Sequence, residues 1–225
     1  MDKLTRKALQ GLVGLFLALA ATLFALAWTF DWWQAWLFLA IYFACSIALS
    51  LWMLRYDRQL VERRMRGGPL AEKEPTQKII MLFTSAGFAG MFVVPALDHR
   101  LGWSHVPVSI VLAANVVMTL GWFAIYLVFR ENSYASATIE LAADQKVIST
   151  GPYALVRHPM YAGALPMLLG MPIALGSWWG LVPFFVIVPA LIWRIFDEER
   201  FLTTGLAGYA AYKQKVRYRL IPHFW

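Results

Sequence analysis

The sequence has a single cysteine, Cys45, set within an apolar run. An intramolecular disulfide, a Cys₂ metal site and a CxxC redox motif are therefore excluded, and Cys45 is expected as a small buried residue. The four histidines, His99, His105, His158 and His223, are scattered, with no HExxH and no paired spacing for zinc. No Gly-x-x-x-x-Gly-Lys-Ser/Thr loop and no strand-linked Gly-x-Gly-x-x-Gly occurs, which removes the nucleotide folds built on them. Internal repeats and low-complexity tracts are lacking too. Charge is sparse, at 15% of 225 residues, against about 25% in soluble domains.

In its place are long apolar runs, and 60% of the chain is hydrophobic. A membrane helix needs roughly 20 mostly apolar residues to cross a ~30 Å core. Six runs approach that length, at about 8–29, 34–54, 79–97, 107–129, 159–176 and 179–195. An all-α polytopic membrane protein of about six spans is expected. It divides into N-terminal spans over 1–129 and a core over 130–225 that ends in a helical hairpin and an amphipathic tail.

The net charge of +7 does not mark a nucleic-acid binder, because the basic residues occupy the short connections where anionic headgroups would meet them. With six spans both termini share one side. All but one of the 20 lysines and arginines then fall on that side, Arg100 being the exception. The positive-inside rule makes it cytosolic, in a bacterial-type inner membrane or its equivalent. Trp28, Trp32, Trp33 and Trp36 crowd the first outer turn, and Trp103, Trp178 and Trp179 mark the other two, as interfacial anchors. The basic start Met1–Lys7 is followed by a run too long for a signal peptide and without a clear cleavage site, so it reads as a retained helix. Residues 55–66 suit a short interfacial helix, followed by a turn at 66–69 and a polar linker at 71–75.

The chemistry gathers near the C-terminus. In Gly151-Pro-Tyr-Ala-Leu-Val-Arg-His-Pro-Met-Tyr-Ala-Gly163, Gly-Pro sets a turn and His158-Pro159 begins a helix, proline being tolerated in the first turn. The first-turn amides and Tyr153, Arg157, His158 and Tyr161 then crowd one place. In Trp193-Arg-Ile-Phe-Asp-Glu-Glu-Arg200, Arg194 and Glu198 are four apart and share a helix face, while Glu199 points elsewhere. The polar stretch Glu131–Thr138, followed by Gln145-Lys-Val-Ile148, is tolerated at such depth if it lines a cavity. The tail from Gly208 suits an amphipathic helix packed beneath.

Gly151-Pro-Tyr-x₃-Arg-His-Pro-x-Tyr-x-Gly163, with Arg194-x₃-Glu198-Glu199 about 30 residues on, resembles the isoprenylcysteine carboxyl methyltransferase family. That family is part of a wider membrane methyltransferase group that includes phospholipid N-methyltransferases. The resemblance covers roughly 130–225 and implies S-adenosylmethionine as cofactor. It implies a cofactor site formed by Gln145, Lys146, Val147, Ile148, Tyr153, His158, Pro159, Met160, Tyr161 and Glu198, with Thr138 as a weaker addition. Arg194 is implied as the guide for an acceptor carboxylate. A carboxylate acceptor needs no base, whereas an amine or thiol makes Glu199 or Glu198 a candidate base.

Three readings compete. The first is methylation of a prenylcysteine-like carboxylate or another lipophilic acceptor, with a phospholipid amine or small thiol as its variant. The second is a nicotinamide-dependent membrane reductase, since sterol reductases share an Arg-His-Pro-x-Tyr-x-Gly element. The third, a non-catalytic membrane or transport protein, calls for polar residues deep in several spans, where Asn115 stands nearly alone.

Overall fold

The computed structural model describes residues 2–67, 74–138, 141–142 and 145–225. Among them all regular structure is helical, with no strand. The helices are α1 (Lys3–Ala27), α2 (Trp33–Tyr56), α3 (Arg58–Met65), α4 (Pro75–Leu101), α5 (Val108–Glu131), α6 (Pro159–Ala174), α7 (Leu181–Gly205) and α8 (Tyr209–Lys215), with a 3₁₀ turn at Gly151–Ala154 before α6. The expected interfacial helix is α3, and the tail helix is α8. The turn and linker expected at 66–75 fall mostly on 68–73, outside the described residues.

Four helices, α1, α2, α4 and α5, are long and apolar enough to cross a membrane. The last two apolar runs differ. At 16 residues, α6 rises about 24 Å, and α7 turns polar at Arg194.

One hydrophobic core joins α1, α2, α4, α5, α6 and α7, with Leu23, Phe38, Met91, Met118 and Met171 fully enclosed. It draws on both 1–129 and 130–225. The closest approach is between α5 and α6, where glycines let the backbones meet. A Cβ on Gly121 would lie 2.8 Å from the Gly163 carbonyl, and one on Gly170 would lie 2.8 Å from the Ala114 carbonyl.

The connections fall at two ends. At one end the C-terminus of α4 and the turn before α7 meet through Asp98, which is 1% exposed. Its carboxylate accepts from the Ser104 amide (2.8 Å), the Ser104 hydroxyl (2.5 Å) and the Ser177 hydroxyl. Ser177 Oγ in turn accepts from the Gly180 amide at 3.0 Å. Trp28, Trp33, Trp36, Trp103, Trp178 and Trp179 are all exposed at this end, as expected of anchors. Trp32 is not. It is 1% exposed and stacks on His99 with centroids 4.5 Å apart, because it sits at the start of α2 facing α4. Asn115 is also buried, and its Nδ2 donates within its own helix to the Val111 carbonyl at 2.9 Å.

At the other end are the N-termini of α1, α4 and α6, the C-termini of α2, α5 and α7, and both short helices α3 and α8. Arg58 pairs with Asp2 at 2.7 Å, and Arg63 donates to the Ser133 carbonyl at 2.6 Å. This is the end that carries the basic residues.

Candidate functional site

A cavity of about 350 Å³ opens at the basic end, within the ~300–1,000 Å³ usual for small-molecule sites. It is bounded by α4, α6 and α7, by the polar stretch after α5, and by α8. Gln145, Lys146, Val147, Ile148, Tyr153, His158, Pro159, Met160, Tyr161, Arg194 and Glu198 all line it, and Thr138 does as well. Of the residues singled out from sequence, Glu199 alone is not among its walls. Residues 139–140 and 143–144 lie outside the described residues.

His158 and Pro159 start α6. Pro159 has no amide hydrogen, and the His158 amide donates to the Arg219 carbonyl at 2.9 Å. Met160 and Tyr161, whose amides belong to the first turn of α6, both line the cavity. The preceding Tyr153 is held from two sides. Its hydroxyl accepts from Asn132 Nδ2 at 2.7 Å, and its carbonyl accepts from the Tyr212 hydroxyl at 2.8 Å. Burial pushes the Tyr153 phenol up to about 12, above the ordinary value, with Asn132 acting against the shift. It stays a neutral hydroxyl. On the loop after α5, Arg63 lies over the Tyr134 ring at 5.0 Å.

A polar chain crosses the cavity wall from α4 to α7 to α6. Gln77, buried at the start of α4, donates to Asp197 and accepts from Arg194 Nη1 at 2.9 Å. Arg194, 6% exposed, also donates to the Ala137 carbonyl at 3.2 Å and to the Tyr161 hydroxyl at 3.1 Å. That hydroxyl donates to Glu198 Oε2 at 2.9 Å. Arg194 and Glu198 thus share a helix face, as their spacing requires, with Tyr161 bonded to both.

Glu199 points away from them and is 3% exposed. Its carboxylate meets Arg157 Nε at 2.6 Å, His158 Nε2 at 3.3 Å and Arg219 Nε at 3.2 Å. Burial pushes this carboxyl up, but hydrogen bonds from His158 and Arg157 and their charge outweigh it and hold it down at about 2. A carboxylate so stabilised is a weak base. Arg157 completes the node by donating to the carbonyls of Val216 and Arg217 at 2.9 and 2.8 Å. It is a buried tie between α6, α7 and the tail.

Several cavity residues went unseen in the sequence. Met81 and Thr84 come from α4, Arg64 from α3, and Tyr209 and Tyr212 from α8, while Gln77 of α4 reaches the site only through Arg194. Arg64 sat among several arginines in a basic connection, where its register was the one available sign: Leu60, four residues earlier, is an inward-facing position. Tyr209 is 4% exposed, and its buried hydroxyl has no hydrogen-bond partner among the described residues. A buried hydroxyl left in this way at a cavity wall is open to a bond with a ligand or a water.

No curated protein matches the chain. Residues 108–207 match the family model of phospholipid methyltransferase, a segment that begins with α5 and ends just beyond α7. Through this match and the motifs of 151–163 and 194–199, the chain is similar to the membrane methyltransferase group, which takes in phospholipid methyltransferases and isoprenylcysteine carboxyl methyltransferases alike.

Proposed function

We propose that this protein is an integral membrane, S-adenosylmethionine-dependent methyltransferase acting on a lipophilic acceptor. The observation that carries the reading is the cavity, where the residues that the resemblance assigns to the cofactor share one wall with Arg194. In this reading α6 and α7 complete six crossings, and the basic end, with both termini, is cytosolic.

The residues fit such a cofactor in size and in donors. Gln145 to Ile148, Tyr153, the start of α6 at His158 to Tyr161, and Glu198 would hold it, and the orphan Tyr209 hydroxyl supplies one further polar contact. When bound, S-adenosylmethionine supplies an activated methyl group on a sulfonium. The protein then has to align the acceptor and exclude water. Arg194, fixed by Gln77 and Tyr161, presents a planar fork suited to an anionic oxygen on the acceptor. Glu199 keeps His158 and Arg157 in place. Where the acceptor is an amine or thiol, Glu198, the one carboxylate lining the cavity among the described residues, would take its proton.

The resemblance of residues 151–199 supports a prenylcysteine-like carboxylate as acceptor, and the match over 108–207 is compatible with a phospholipid amine. Saturation binding of S-adenosylmethionine and NADPH to the full chain in nanodiscs tests the cofactor. Labelled methyl transfer into phospholipids, thiols and prenylcysteine analogues tests the acceptor. Binding of S-adenosylmethionine with no NADPH binding is expected. No binding of S-adenosylmethionine would overturn the reading.

A further inference from the structure

Arg64 stands in the last turn of α3, on the face of buried Leu60, and its side chain reaches the cavity. There the guanidinium lies over the Phe129 ring at 4.9 Å, and Nη1 faces Met160 Sδ at 3.6 Å. A ring face and a thioether are soft partners for a cation. Among the described residues no carboxylate pairs with Arg64, although it is half-buried. Its neighbours are better provided: Arg58 has Asp2, and Arg63 has the Ser133 carbonyl. Burial pushes the Arg64 pKa down, with Tyr161 acting against the shift and the positive charge of Arg194 adding to it. Arg64 and Arg194 line the same cavity, which therefore carries two guanidiniums.

We propose that Arg64 acts with Arg194 to bind the anionic group, a phosphate or a carboxylate, of a lipid-tailed acceptor. The guanidinium fork matches either oxyanion. Met81 and Leu191, from the apolar stretches of α4 and α7, line the same cavity and suit the tail. Arg64 lies outside the segment 108–207, so this specificity comes from a part of the chain beyond the family match. The proposal rests on reading the cavity as a methyl-transfer site.

The test uses the full chain in nanodiscs with R64M, which keeps a stem against Phe129 and Met160 without the charge, and R64K, which keeps the charge. Three quantities are measured: S-adenosylmethionine affinity, saturation binding of labelled dodecyl phosphate and of dodecanoate, and KM and kcat with a phospholipid and a prenylcysteine acceptor. R64M is expected to weaken one anionic probe by about tenfold or more. It should raise KM of the matching acceptor equally, with kcat and cofactor affinity within about twofold. R64K should recover part of the loss. A loss confined to dodecyl phosphate identifies a phosphate acceptor, and one confined to dodecanoate a carboxylate. Unchanged binding of both probes overturns the proposal, as does loss of cofactor binding in both variants, which would make Arg64 a packing residue. Failure of the parent protein to bind S-adenosylmethionine strikes the methyl-transfer reading instead, and the probe measurements still report on Arg64.

Discussion

Buried polar networks occupy both ends of the helical body, and they are built differently. Around Asp98, three donors from Ser104 and Ser177 close on one carboxylate, and the network seals two turns against each other. Around Arg194, a chain from Gln77 through Tyr161 to Glu198 reaches a cavity wall, beside a Tyr209 hydroxyl and an Arg64 that lack, respectively, a hydrogen-bond partner and a carboxylate among the described residues. A network whose donors and acceptors are matched internally has nothing to offer a ligand. One that leaves buried groups unmatched bears a cost that a ligand can relieve. Buried polarity alone does not mark a site; incomplete pairing beside a cavity does.

Substitutions can break this contrast, beginning with the largest expected effect. On the proposed reading, in which Arg194 guides the acceptor, Arg194→Ala should reduce methyl transfer by at least about 100-fold while leaving S-adenosylmethionine affinity within about twofold. Normal turnover by this variant would end its assignment. Glu199→Ala should cost roughly 3–5 kcal/mol, because it strands buried Arg157 without its carboxylate, and thermal unfolding in detergent measures it. The same carboxyl gives a pH test. Its folded pKa lies below the ordinary value, so its contribution to stability is complete above about 4.5 and fades as pH falls toward 2. Acid unfolding of Glu199→Gln should lose that component.

Asp98→Asn should cost about 1–3 kcal/mol by leaving serine donors poorly matched, with turnover per folded molecule unchanged. A catalytic defect there would blur the distinction between the two ends. The smallest effect belongs to Tyr209→Phe. Ligand-free protein should melt at the same or a higher temperature, since an unpaired buried hydroxyl is removed, whereas cofactor affinity should fall a few-fold.

Much of the helical layout was legible in hydropathy, because a run of apolar residues between polar connections carries its own length. The last two runs were less so, since the sum of apolar residues hides where a helix changes character, as α7 does at Arg194. For the site, motifs with fixed spacing led to the residues of α6 and α7. The α3 and α4 contributions were not visible because Arg64 and Gln77 belong to connections where basic and polar residues are expected anyway, and only packing turns those two inward. The separation of Glu198 from Glu199 was legible as helix geometry. That Glu199 would be ringed by Arg157, His158 and Arg219 depended on the path of the tail, which no local pattern announces.

The glycine contacts between α5 and α6 act as a vernier. Because the two backbones touch at Gly121 and Gly170, α6 can take only one height against α5. That height brings Asn132, just past the last turn of α5, level with Tyr153, just before the first turn of α6. A slip of a single turn, about 5.4 Å, would part them. Residues deep in the apolar body thereby set the calibration of a cavity they never touch.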